Sequence, residues 1–212
     1  MRHPLRTALA ALLLAALLPL PATAAAQEPS AAPPAPRVAR PTLRALVGLA
    51  AGTAFVEDQN GISVRPGLSP LLGVEGASRV GSATRVTLTL RAARPQATIE
   101  FADGGSVDAG AVTALDLALG LERVLHPAVA VRGGVGLLYL EGPESVAPFR
   151  FNNASSAHPL LDLGATLRAP TRLPLHLSLG WQGFRYGAAT GADPIDEAGL
   201  VQRVQLGVRY GR

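Results

Sequence analysis

The chain has 212 residues and no cysteine, and it carries 19 basic residues, all arginine, against 15 acidic ones. That length bounds it to one domain of moderate size, and the missing thiols exclude a disulfide framework, a lipidated cysteine and a thiolate metal site. A formal charge of +4 with no basic cluster interleaved with aromatics argues against nucleic-acid binding.

The first 26 residues, MRHPLRTALAALLLAALLPLPATAAA, set Arg2 and Arg6 before an apolar run over 8–20 and then small residues that fit an A-x-A cleavage rule. They read as a secretory signal peptide, since the run is shorter than the ~20 residues a spanning helix needs. Losing its two arginines leaves a charge of about +2, so the high pI reflects arginine chemistry more than charge excess. Residues 27–41, QEPSAAPPAPRVARP, are a proline- and alanine-rich leader that cannot hold a ladder.

Residues 42–212 form the folded domain, and their apolar residues recur with period two, the strand period. Over 43–55, Leu43, Val47, Leu49 and Phe55 oppose Arg44, Gly48, Ala50 and Gly52. Over 68–79, Leu72 and Val74 oppose Gly73, Glu75 and Ala77; over 85–94, Val86, Leu88 and Leu90 oppose Thr87, Thr89 and Arg91. In 111–142, Leu115, Leu117, Leu119 and Leu121 alternate with Asp116, Ala118, Gly120 and Glu122. After a His126-Pro127 turn, Val129, Val131, Val135, Leu137 and Tyr139 alternate with Ala130, Arg132, Gly134 and Gly136. Over 160–169, Leu161, Leu163 and Leu167 oppose Asp162, Gly164, Thr166 and Arg168. Over 174–186, Leu175, Leu177, Leu179 and Trp181 oppose His176, Ser178, Gly180 and Gln182. Over 200–210, Val204, Leu206, Val208 and Tyr210 oppose Arg203, Gln205, Gly207 and Arg209. After the leader no stretch has the ~18 consecutive apolar residues of a membrane helix, so any insertion is by strands.

Connections alternate in length: short at 80–84, 124–127 and 170–173, long at 56–67, 95–110, 141–159 and 187–199. Short and long ends therefore lie on opposite sides, as in an up-and-down antiparallel sheet. A soluble barrel or sandwich would need many charges outside its leucine core, whereas here the second face is glycine, alanine, serine and threonine. Such a face suits the crowded interior of an eight-stranded barrel, with leucine and valine facing lipid. The predicted fold is all-β: an eight-stranded antiparallel up-and-down transmembrane β-barrel with short periplasmic turns and longer outer loops.

On this reading Arg44, Glu75, Arg91, Asp116, Glu122, Arg132, Asp162, Arg168, His176, Arg203 and Arg209 share the lumen, and their mixed signs predict ion pairs that close it. Phe55, Tyr139, Trp181 and Tyr210 are expected at the membrane interfaces, where amphipathic rings favour the headgroups; Phe184 and Tyr186 lie near the same long-loop ends.

This layout resembles the small outer-membrane β-barrel superfamily that includes OmpA-like and OmpX-like proteins, over residues 42–212. The resemblance implies the outer membrane as address, insertion by the barrel-assembly machinery and contact with outer-membrane lipids and lipopolysaccharide. It also implies a monomer whose loops carry an unidentified ligand. Members usually end in an aromatic residue, whereas LGVRYGR sets Tyr210 just ahead of the end. No peptidoglycan-binding domain is expected after the barrel.

His176 and Ser178 invite an esterase reading, but both alternate with leucines and so face the lumen, with no acid nearby in sequence; a lumen hydrogen-bond pair is the expectation. The acidic clusters at 57–61 and 193–197 match no complete calcium loop and read as solvated loops, and Asn153-Ala154-Ser155 as an unused glycosylation pattern. Gly133, Gly134 and Gly136 sit inside a strand with no helix after them, so they mark backbone crowding and not a phosphate loop. The functional expectation is a non-enzymatic outer-membrane surface protein without cofactor or metal. The alternatives are a lipid-modifying enzyme, a narrow porin and a soluble periplasmic barrel carrying an apolar ligand.

Overall fold

The computed structural model describes residues 41–57, 60–142, 155–186, 189–190, 193–194 and 199–211. The signal peptide, the leader up to residue 40, and parts of the acidic clusters and of the glycosylation pattern lie outside the described residues.

In chain order the strands are β1 (Thr42–Gly52), β2 (Val56–Glu57), β3 (Ser63–Pro66), β4 (Ser69–Arg79), β5 (Thr84–Ala93), β6 (Gln96–Glu100) and β7 (Ser106–Ala111). They continue with β8 (Thr113–His126), β9 (Val129–Glu141), β10 (Ser155–Arg168), β11 (Leu175–Tyr186), β12 (Ala189–Thr190), β13 (Asp193–Pro194) and β14 (Gly199–Tyr210). Eight of them close a barrel in the order β1-β14-β11-β10-β9-β8-β5-β4, with β4 pairing back onto β1 and every pair antiparallel. Barrel strands of 10 to 14 residues meet or exceed the ~9–11 that a tilted spanning strand requires.

Alternation along each strand decides which face goes where. Leu43 is 70% exposed, Leu206 62% and Leu137 58%, and the leucines and valines of the same parity on the other barrel strands also point outward. Opposite them, arginine, carboxylate, threonine, alanine and glycine fill the bore. A soluble protein does not leave an apolar surface of this extent in water; a barrel in lipid requires one. The carrier reading needed these leucines as a core, and the structure turns them out.

The narrow bore explains the glycines. Gly120 pairs with Gly134 across β8 and β9. A methyl on Gly134 would lie 2.5 Å from the Leu119 carbonyl oxygen and 2.8 Å from the Gly120 Cα. The wall curves so tightly here that an inward Cβ meets the neighbouring backbone, the crowding expected from the sequence.

Three short turns, at 80–83, 127–128 and 169–174, join the strands at one end. Val80 N–H donates to the Thr84 carbonyl at 3.1 Å, and Ala169 N–H to the Leu175 carbonyl at 2.9 Å. A bulge between Val124 and His126 carries β8 beyond its expected end, and β10 starts at Ser155, before the predicted 160. Both ladders run on because their partner strand β9 is long enough to pair with them.

Two of the long connections, expected as loops, form a second antiparallel sheet in the order β2-β3-β6-β7. Pairing of β3 with β6 joins one loop to the next. The sheet continues the barrel wall past a break: Gly67 N–H donates to the Gln96 carbonyl at 2.7 Å, and Val112 N–H to the Pro95 carbonyl at 2.9 Å. Gly104, with φ at 86°, closes the β6–β7 hairpin, and Gly110, at 89°, sits by the bulge after Ala97. The sequence hides this sheet because its strands are short and their alternation is too brief to stand out from turn residues.

Two outcomes follow. Gly134→Val places a branched side chain against the β8 backbone, and the fraction of chain reaching the compact, heat-modifiable form on refolding into vesicles falls severalfold. Asp108 accepts the Gly110 N–H at 2.8 Å and the Gln96 side-chain N–H at 2.9 Å, which hold its carboxyl below the usual aspartate range. A depressed folded pKa gives stabilisation that is present above the unfolded value of about 3.9 and fades as pH falls through the folded one. Amide exchange at Gly110 therefore speeds up below about pH 4 beyond the intrinsic pH trend, and Asp108→Asn removes the transition.

Candidate functional site in the barrel lumen

Inward positions from all eight barrel strands meet in one ion network. Toward the long-loop end, Arg91 Nε on β5 donates to Asp116 Oδ1 on β8 at 2.6 Å, and its Nη1 lies 2.9 Å from Asp162 Oδ1 on β10. Arg203 on β14 reaches Asp116 Oδ2 at 2.5 Å and Gln182 Oε1 on β11 from both Nε and Nη2. Gln205 Nε2 donates to the same Gln182 oxygen at 2.6 Å.

Arg132 on β9 links this layer to the next, holding Asp162 at 3.1 Å and Glu75 on β4 at 2.6 Å. Toward the short-turn end, Arg44 on β1 lies 2.9 Å from Glu75 and 3.0 Å from Glu122, Arg209 3.1 Å from Glu75, and Arg85 3.0 Å from Glu122. The side chains of Arg91, Glu75, Asp116 and Asp162 are at most 1% exposed. Charges this deep survive only because each meets an opposite one and most of its hydrogen-bonding sites are filled.

Above the network the lumen turns apolar. Leu71, Leu138, Leu140, Leu160, Phe184 and Val201 point inward at the long-loop ends of their strands and merge with Phe55, Val64 and Ile99 of the loop sheet in one buried cluster. A cavity of about 20 Å³ remains there, between Ala50, Ala93, Leu138 and Phe184, which is room for roughly one water. The bore is thus filled by ion pairs below and side-chain packing above.

Most predicted lumen residues come together, but not all. Arg168 lies at the short-turn rim, exposed and without an ion pair among the described residues, because β10 ends there. His176 sits beside it with Nδ1 buried and unpartnered, so no hydrogen bond joins it to Ser178 as expected. Arg85, Thr89, Gln182 and Gln205 join the network without having been singled out; each has inward parity, which was the available signal.

Phe55 is a correction. It was expected at the headgroup interface, yet it is 6% exposed, because the chain turns inward after Gly52 and the ring packs under the loop sheet. Phe184 also points inward, at 3%. Trp181 and Tyr139 keep outward parity near the long-loop end and Tyr210, 55% exposed, at the short-turn end; Trp181 Nε1 donates to Gln202 at 3.1 Å.

No family model and no curated protein matches this chain. Solved structures do. The Yersinia pestis outer membrane protein Ail in a phospholipid bilayer nanodisc is similar over 82% of this chain and 100% of its own, with a TM-score of 0.50 and 12% identity. Outer membrane protein AlkL in DMPC lipid bilayers is similar over 88% of this chain and 97% of its own, at a TM-score of 0.51 and 16% identity. The fold is that of a small outer-membrane barrel. With its apolar belt facing out and every barrel-strand edge paired, such a barrel belongs in the outer membrane.

The network predicts a measurable coupling. Asp116→Leu leaves Arg203 without a carboxylate and Arg91 with Asp162 alone, and lowers the unfolding free energy in urea titrations from vesicles by about 3–5 kcal/mol. Adding Arg203→Leu recovers part of that loss, because the double variant leaves fewer buried charges uncompensated.

Proposed function

We propose that the protein is a non-enzymatic outer-membrane surface protein: a closed, lipid-anchored barrel that holds a loop sheet at the cell surface for interaction. The carrying observation is the filled lumen. Ion pairs drawn from seven barrel strands and joined to the eighth through Gln182, with an apolar layer over them, fill the lumen among the described residues, so the parts free to meet a partner are the long-loop elements.

The loop sheet supports this reading. Backbone hydrogen bonds from Gly67 to Gln96 and from Val112 to Pro95 continue it from the barrel wall; it packs on Val64, Ile99 and Ala97, and exposes Glu57, Asp103 and Asp108 beside an Arg65–Glu100 ion pair. Exposed charges of both signs at the outer end, with Arg65, Arg94 and Arg185 among the carboxylates, suit a polar partner, and the carboxylates suit the divalent ions that bridge lipopolysaccharide phosphates. Outward leucines with Trp181 and Tyr210 at opposite ends suit lipid on both leaflets. The competing lipid-modifying reading would need nucleophile, base and acid facing the bilayer, and His176 and Ser178 face the lumen instead.

Planar-bilayer recordings test closure: no stepwise conductance is expected, and steady, well-resolved openings would favour the narrow porin. Orientation is tested in the cysteine-free background. Asp103→Cys should react with a membrane-impermeant maleimide on intact cells, and Ser82→Cys only after the outer membrane is permeabilised.

A further inference from the structure

The two ends of the barrel differ in their exposed charge. Among the described residues the short-turn end exposes Arg79, Arg123, Arg168 and Arg172 and no carboxylate, whereas the long-loop end mixes exposed Glu57, Glu100, Asp103 and Asp108 with exposed Arg65, Arg94 and Arg185. The field of the molecule therefore draws anions toward the short-turn mouth.

At that mouth the register sets a histidine between two arginines. Arg168 pairs with His176 across β10 and β11, and His176 with Arg209 across β11 and β14, all three on lumen-facing positions. Two guanidiniums this close, with only a histidine between them, leave positive charge that favours an anion. The available carboxylates are already shared: Glu75 serves Arg44, Arg132 and Arg209, and Glu122 serves Arg44, Arg85 and Arg209. Arg44 and Arg209, with side chains 6% and 4% exposed, each leave Nε buried without a hydrogen-bond partner, as His176 leaves Nδ1. Arg168 has no ion pair among the described residues. Unspent donors and excess positive charge thus lie directly behind the exposed Arg168.

We propose that the short-turn mouth of the lumen is an oxyanion site, in which the Arg168 guanidinium and the His176 ring take a phosphate-type group with Arg209 and Arg44 behind them. Guanidinium forks match phosphate oxygens in two-point contacts, and a His176 proton on Nδ1 adds a further donor. The same chemistry fits free inorganic phosphate or the headgroup phosphate of an inner-leaflet phospholipid.

The test uses the protein purified from outer membranes in neutral detergent, heated stepwise, with its mobility shift read in phosphate and in chloride at matched ionic strength. Phosphate well above its Kd raises the midpoint by on the order of 5 °C. The rise disappears in Arg168→Gln/His176→Gln and survives in Arg172→Gln, whose side chain lies in the turn outside the lumen-facing register. A rise seen only in zwitterionic vesicles doped with phosphatidylglycerol, and lost in the same double variant, assigns the anion to a lipid headgroup. Midpoints indifferent to both phosphate and phosphatidylglycerol, or a rise that the double variant retains, would overturn the site.

Discussion

A backbone amide or carbonyl in hydrocarbon has no water to bond, and leaving one unpaired there costs several kcal/mol. Closing the sheet on itself removes that cost for every barrel strand at once, since β4 returns to β1 and no edge is left. The alternation, the small inward side chains and the filled bore all serve this closure. An eight-stranded wall curves tightly, so inward positions must be small where neighbouring backbones converge, as at Gly120 and Gly134, and large only where the bore has room for a side chain.

The bore that remains is too narrow for a continuous column of water and too wide to leave empty. Layers of different chemistry fill it. Near the long-loop end leucine and phenylalanine pack as in a soluble core, and there the loop sheet adds Phe55, Val64 and Ile99 to the same cluster, so lid and barrel share one apolar body. Further down, arginines span the lumen, reaching from one wall to carboxylates on another: Arg132 on β9 to Glu75 on β4, Arg203 on β14 to Asp116 on β8. An arginine is long and forked enough to cross the bore, which a lysine point charge would do with fewer bonds.

Much of this was legible in period two alone. Parity assigns Arg44, Glu75, Arg91, Asp116, Glu122, Arg132, Asp162, Arg203 and Arg209 to one face, and an eight-stranded barrel has only one interior to put them in. Parity does not give depth, however. Arg168 shares the face but stands at a strand end, where the rim lets it into solvent. Nor does it show where a strand leaves the wall: Phe55 follows the alternation on paper, yet the chain has bent inward by then. Leu138 was a missed signal. In GVGLLYLEG two adjacent leucines cannot both face lipid, and the second one, with Leu140 after it, marks where the lumen becomes apolar. The loop sheet was beyond reach, because pairing between β3 and β6 depends on two loops meeting in space.

Why the lower lumen is charged, when an apolar filling would cost less to desolvate, follows from the surroundings. In water a strand with one apolar face has its orientation fixed by solvent, but in lipid a strand apolar on both faces would gain nothing from either orientation. A one-residue slip of β5 or β9 would then be nearly free. With Arg91 and Arg132 on the inward face, the same slip drives a guanidinium into the bilayer, at about 2–4 kcal/mol near the midplane, and strands its carboxylate partners in the bore. The network thus acts mainly on register: it adds modestly to the native state and heavily penalises the slipped alternatives. Because each carboxylate is shared between arginines of different strands, an error in one strand leaves charges unmatched on several others, and the eight strands reach their register together.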